Sequence, residues 1–298
     1  MNLMSKEIPK ASSYFKSFDG TKIYYETRGT GVPIVMIYGV CCQMNHWHHQ
    51  MIQFSQTHQV ITFDIRGHHQ SEVPTDPSNL NIDSVARDVL ALMEHLKLSK
   101  AHLVGHSFGV PVLIQLHSIN SEKAISYSFV NGFAKNPIKG MFGLDVVEPF
   151  YRFVKAQYLQ APQLWSEFWR VATDNPLAVA LTALAGGFNF KLTQFKDIEI
   201  YTRGVSQTPL NVFLPLFEDL MGFDGDAILR KIQVPTLVLG GEKDAVTPVK
   251  FQEQMHQLVK NSEYVLVPYG SHCTQLDFPD YVNLKLGSLF VRTEKGPK

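Results

Sequence analysis

The chain has 298 residues, 45% hydrophobic and 18% charged, enough apolar material for a sizeable core and for one large domain or a domain with an insertion. Lysine plus arginine equals aspartate plus glutamate at 27 each, and no basic cluster or RNA-binding motif occurs, so nothing favours nucleic acid or an anionic membrane. The 3 cysteines (Cys41, Cys42 and Cys273) are too few for a disulfide framework. The first residues, Met1 to Lys10, lack a signal-peptide core, and no apolar run reaches the roughly 18 residues of a membrane span. The expectation is a cytoplasmic protein, monomer or homodimer.

In chain order, Ser12 to Phe18 and Thr21 to Thr27 flank Asp19-Gly20 and read as a hairpin. Pro33 to Gly39 is a continuous apolar strand ending in glycine, residues from about Trp47 to Phe54 read as a short helix, and Gln59 to Ile65 is the next strand. Val85, Val89, Leu92, Met93 and Leu96 give Ile82 to Leu96 a helical period. Further apolar strands are predicted at Ala101 to Val104, Ile125 to Val130, Thr236 to Gly240 and Tyr264 to Val267, with a helix over Val110 to Ser118. Apolar runs separated by amphipathic helices indicate an α/β fold with a mostly parallel sheet covered on both faces, whose ligands bind beyond the carboxyl ends of the strands.

From about Phe133 to Phe223 this alternation stops, and the segment reads as an aromatic-rich helical cap inserted into a core of residues 12–132 and 224–292. Pro162 starts a helix that lines Leu164, Trp165, Phe168 and Trp169 along one side, a candidate roof over an apolar cavity.

The chemistry is expected at strand exits. Gly105-His106-Ser107-Phe108-Gly109 lies between a strand and a helix, the context of a nucleophile elbow, where a strained backbone projects the serine Oγ and two glycines remove Cβ clashes. Asp244 follows the strand Thr236 to Gly240, and His272 follows Tyr264 to Val267. A serine hydroxyl needs a base to act as nucleophile at neutral pH. His272 would take and return the proton, and Asp244 would hold the imidazole tautomer. The Phe108 and Val40 amides are the expected oxyanion donors, each supporting roughly 3 kcal/mol of transition-state stabilisation.

With these residues in the order Ser107, Asp244, His272, the chain resembles the α/β-hydrolase superfamily over about residues 12 to 292. Phe63-Asp64-Ile65-Arg66-Gly67-His68-His69-Gln70-Ser71 matches the family's Phe-Asp-x-Arg-Gly-His-Gly-x-Ser segment, Val234 to Asp244 its strand and loop before the acid, and Gly270-Ser271-His272 its histidine loop. Two positions depart from the family pattern. Tyr38-Gly39 stands where His-Gly is usual, and His69 replaces a glycine.

The resemblance implies a serine hydrolase. Ser107 in place of an aspartate nucleophile disfavours dehalogenase and epoxide hydrolase chemistry, and the elbow and aromatic cap disfavour an aminopeptidase. Hydrolysis of a small-molecule carboxylic ester with an apolar acyl or alcohol part is the expected reaction. Lactone, C–C bond or perhydrolase-type chemistry and a non-catalytic ligand-binding receptor are the alternatives. Cys41, His106, Trp165, Phe168 and Trp169 are pocket candidates. His106 also reads as a packed structural residue, and Cys41, Cys42 and Cys273 are placed to line or border the site, with packing the main reading of them and thiol-sensitive activity the lesser one. No cofactor is expected, and no metal, since His46, His48, His49, His58, His68 and His69 lack a fixed ligand spacing on one element.

Overall fold

The computed structural model describes residues 8–295 except 144, 176, 178–186 and 190; most of the first ten residues, and parts of the 133–223 segment, therefore lie outside the described residues. Among the described residues, eight strands form one sheet in the order β1-β2-β4-β3-β5-β6-β7-β8. β1 (Lys10–Lys16) and β2 (Lys22–Arg28) make the expected antiparallel hairpin, and β2 joins β4 (Gln59–Phe63) antiparallel. β3 (Pro33–Ile37), β5 (Ala101–His106), β6 (Ala124–Val130), β7 (Thr236–Gly241) and β8 (Ser262–Val267) extend the sheet in parallel from β4. This is the α/β-hydrolase fold.

Burial follows from the sequence pattern. Every residue of β5 and β7 is buried, as a strand covered on both faces requires. The covering helices include α1 (His48–Phe54), α2 (Ile82–His95) and α3 (Gly109–Ile119). A 3₁₀ turn, Met44–Trp47, leads into α1 and extends the predicted helix toward the amino terminus. α2 is capped by Asn81, whose Oδ1 accepts from the Ser84 amide at 2.7 Å, and it buries Val85, Val89, Leu92 and Met93 against the core.

Between β6 and β7 the described residues contain α4 (Val147–Gln160), α5 (Pro162–Thr173), α6 (Phe195–Gln207), α7 (Leu210–Gly222) and α8 (Asp226–Leu229). An isolated antiparallel bridge between Lys135 and Asp224 brings the two ends of this excursion together. The chain closes with α9 (Val249–Leu258), α10 (Thr274–Asp277) and α11 (Pro279–Glu294) around β7 and β8.

Candidate active site

Ser107 sits between β5 and α3 with φ of 52°, the left-handed region that an L-residue enters only under strain. Steric demand explains the flanking glycines. A Cβ on Gly105 would lie 2.6 Å from the Gly109 carbonyl oxygen, and one on Gly109 would lie 2.5 Å from the Ile37 oxygen of β3. The elbow is therefore pressed against its own helix and the neighbouring strand. Gly39, after β3, faces it, because a Cβ there would meet Ser107 Cβ at 3.1 Å.

Two later loops complete the arrangement. The His272 Nδ1 lies 3.1 and 3.0 Å from the two carboxylate oxygens of Asp244, and both residues are buried. Because a carboxylate only accepts, the ring proton is on Nδ1 and Nε2 is left as the acceptor nitrogen. Asp244 Oδ1 also accepts from the Val246 and Thr247 amides at 2.9 and 2.8 Å. Its Oδ2 accepts from Asn131 Nδ2 at 2.9 Å, and the Thr247 hydroxyl lies 2.8 Å from it. These donors stabilise a buried carboxylate that would otherwise carry a heavy desolvation cost. Neither Asn131 nor Thr247 is singled out by the sequence. Asn131 follows β6 with φ of 46°, a backbone state that Asn tolerates better than most residues.

The loop before His272 is fixed by Asp277, whose Oδ2 accepts from the Ser271 amide and hydroxyl, each at 2.6 Å. From the other side, His106 Nε2 donates to the His272 carbonyl at 2.9 Å. Burial, then His46 and His272, push the His106 pKa well below the ordinary histidine range, so its ring is neutral.

The two departures from the family pattern are accommodated by new bonds. Tyr38 is fully buried, its hydroxyl accepting from the Ile65 amide at 2.9 Å and donating to Asp64 Oδ1 at 3.3 Å. His69 takes the left-handed conformation with φ of 45°, and its Nε2 donates to the Cys42 carbonyl at 2.7 Å. Beside it, His68 Nε2 accepts from the Cys41 amide at 3.1 Å while Nδ1 donates to the Arg66 carbonyl at 3.2 Å. Arg66 is anchored by paired bonds of 2.8 and 2.6 Å to Asp88 of α2. The Arg66–His69 segment thus holds the backbone of residues 41–42, immediately after Val40.

Ser107 and His272 open onto one cavity of about 210 Å³, together with Val40, Cys41 and Phe108. Met141, Trp169, Phe213 and Phe217 supply apolar wall from the excursion, and Thr247 and Val246 from the acid loop. Trp169 stacks on Phe213 with centroids 5.0 Å apart and donates Nε1–H to the Thr208 carbonyl at 3.1 Å. Trp165 and Phe168 are not brought to this cavity. Trp165 packs beside α7, and Phe168 faces solvent at 59% exposure, as does Leu164 at 68%. α5 therefore divides its aromatics between the cavity and the outside rather than turning them all inward. His106 lies behind the cavity wall as a bonded support.

All three cysteines are buried, Cys41 in the cavity wall and Cys273 next to His272. Burial pushes the Cys41 thiol up to about 12 and the Cys273 thiol well above the ordinary range. Both are protonated thiols at neutral pH and poor nucleophiles, which favours the packing reading over thiol-sensitive activity.

The family model described as alpha/beta hydrolase fold matches residues 32–279, and the chain belongs to that family, a class of hydrolases. The chain is 25% identical over 274 residues to Epoxide hydrolase 4 of Mus musculus, covering 89% of this chain and 75% of the relative. The solved structure described as Est816, an N-acyl homoserine lactone degrading enzyme, superposes with a TM-score of 0.75 at 25% identity, covering 93% of this chain and 99% of that one. The enol-lactonase of Burkholderia xenovorans LB400 shares the fold, with a TM-score of 0.75 at 20% identity over 94% of this chain and 100% of that one. Among the described residues, no helix is long and apolar enough to cross a membrane.

Proposed function

We propose that this protein is a serine hydrolase cleaving carboxylic esters with a compact apolar acyl group through an acyl-enzyme. The observation that carries this reading is the shared cavity of Ser107 and His272, with the His272 ring oriented by buried Asp244. Ser107 Oγ attacks the ester carbonyl as His272 Nε2 takes its proton. His272 then returns the proton to the departing alkoxide, and the same base activates water to release the acid. Asp244 orients the ring and stabilises the imidazolium that develops. The Val40 and Phe108 amides serve as oxyanion donors, and Gly39 leaves the room for Val40 to approach Ser107. The helical excursion over residues 133–223 acts as the cap, whose aromatics exclude water from the acyl group.

The relative named for epoxide hydrolysis does not alter this proposal, because the elbow of this chain presents Ser107 where that chemistry is expected to use a carboxylate. A lactone, as a cyclic ester, is the second substrate class, favoured by the likeness to the lactone-degrading Est816. The test compares wild type and Ser107→Ala on p-nitrophenyl acetate, butyrate, octanoate and palmitate and on an acyl homoserine lactone. Turnover that is highest for the short esters and lost in the variant is expected. Absence of turnover on every ester and lactone would remove the assignment.

A further inference from the structure

We propose that His48, His49 and Asp197 form a binding site for a divalent transition-metal ion, Zn²⁺ in particular, that clamps the helical excursion onto the core. His48 and His49 open α1, and Asp197 lies in the first turn of α6, so sequence alone could not bring the three together. Their ligand atoms all lie within 4.8 Å of one another. The His48 Nε2 is 3.4 Å from Asp197 Oδ1, and the His49 Nε2 is 3.3 Å from Asp197 Oδ2. Imidazole and carboxylate ligands at about 2.0 to 2.2 Å from a tetrahedral zinc ion stand roughly 3.3 to 3.5 Å apart along each edge. The two histidine–carboxylate spacings match such edges.

Two further observations point to a ligand. The Asp197 side chain is fully buried, yet among the described residues its Oδ1 has no hydrogen-bond donor and the buried His48 Nε2 that faces it has no hydrogen-bond partner. The orientation of His48 explains why they do not satisfy each other. Its Nδ1 donates to the Asn45 carbonyl at 2.9 Å, so in the neutral ring Nε2 is an acceptor set against a second acceptor. A cation between them resolves that opposition, and a ring N–H bonded to a backbone carbonyl is the usual support of a metal-ligating histidine. His49 Nε2, now donating to Asp197 Oδ2, becomes a ligand by moving its proton to Nδ1. The two imidazoles are partly exposed, which gives the ion a route in and leaves a fourth position for water. Lys196 is the neighbouring positive charge that the ion must tolerate.

The site has a structural consequence. About two helical turns along α6, Gly204 lies so close to residues 41–42 that a Cβ there would meet the Cys41 oxygen at 2.7 Å. Asp197 and Gly204 therefore dock the same helix at two points, and metal at the first would stiffen both.

The test uses the full-length, tag-free protein stripped with EDTA, titrated with ZnCl₂ and followed by thermal melting and calorimetry, with CoCl₂ as a spectroscopic probe. One-to-one saturable Zn²⁺ binding that raises Tm is expected, with a tetrahedral Co²⁺ spectrum lacking a thiolate charge-transfer band. His48→Ala and the near-isosteric Asp197→Asn should each abolish the saturable shift while circular dichroism shows both folded. No saturable binding by wild type, undiminished binding in both variants, or a thiolate band placing the metal at Cys273 would each overturn the proposal.

Discussion

His106 donates its Nε2–H to the backbone carbonyl of His272 at 2.9 Å, tying the residue beside the elbow serine to the residue proposed as its base. The two positions lie on different strand exits, so this bond ties the elbow to the loop that carries His272. His106 is a positioning residue in this account. His106→Phe, which fills the space but donates nothing, should lower kcat by about tenfold to a hundredfold with KM nearly unchanged. His106→Gln, able to donate along a similar path, should recover part of the loss. Equal effects of the two variants on kcat, measured by steady-state ester hydrolysis, would show that His106 only fills space.

Asn131 offers a sharper electrostatic test, because its amide donates to Asp244 Oδ2 at 2.9 Å in a buried setting. Asn131→Asp replaces that donor with a second carboxylate, and two such groups at hydrogen-bond distance cannot both ionise freely. The expected outcome is a fall in kcat/KM of about a hundredfold at neutral pH and an acid limb displaced to higher pH. A pH–rate profile superimposable on that of wild type would contradict the role assigned to Asp244.

The two faces of α5 give a paired prediction about substrate size. Trp169 closes the cavity and Phe168 points away from it. Trp169→Ala should raise the octanoate-to-acetate ratio of kcat/KM by about tenfold, since each added methylene then gains apolar contact. Phe168→Ala should leave the ratio unchanged and stability within about 0.5 kcal/mol. The kinetics of p-nitrophenyl acetate and octanoate on both variants check this directly.

Much of this was legible because the residues proposed for the chemistry sit where continuous apolar runs end. β5 and β7 are buried throughout and β3 nearly so, β8 is an apolar run only partly buried, and Ser107, Asp244 and His272 follow β5, β7 and β8. The glycines at 105 and 109 were readable for the same reason, since backbone contact leaves no alternative residue. The α5 helix shows where pattern reading stops. Periodicity shows that Leu164, Trp165, Phe168 and Trp169 share a side, but which part of that side meets the core depends on α7, through Phe213. Asn131, Thr247 and Asp197 act through partners distant in sequence and carry no local signal. The bonds of Tyr38 and His69 were likewise invisible, because each depends on how two loops meet.

Stability should fall on acidification, and the sign follows from the buried histidines. Burial holds His46 and His68 down to about 3, and His106 well below the ordinary range. Unfolded histidines titrate near 6.5. Below that pH the unfolded chain binds protons that the native state refuses, so the stability present above about 6.5 is lost progressively as pH falls toward 3. Asp64 acts in the opposite sense. Burial raises it to about 6, so it favours the native state at low pH and loses that contribution as pH rises through 6. Burial likewise raises Asp88, Asp219 and Asp277 and lowers His48, His102 and His117, so the histidines held down outnumber the carboxylates pushed up, and Tm should drop between about pH 7 and pH 4.5. His68→Gln, whose side-chain oxygen can still accept from the Cys41 amide, should show a shallower drop; a Tm independent of pH in wild type would contradict the neutral state of these rings.

Covalent labelling by a fluorophosphonate probe tests the central claim most directly, because that reagent phosphonylates only a serine activated by a neighbouring base. Peptide mapping of the labelled protein should place the adduct on Ser107. Ser107→Ala should remain unlabelled, and His272→Ala should react slower by about a thousandfold or more. Wild type that hydrolyses esters while its adduct maps elsewhere, or that labels at Ser107 equally fast without His272, would contradict the account.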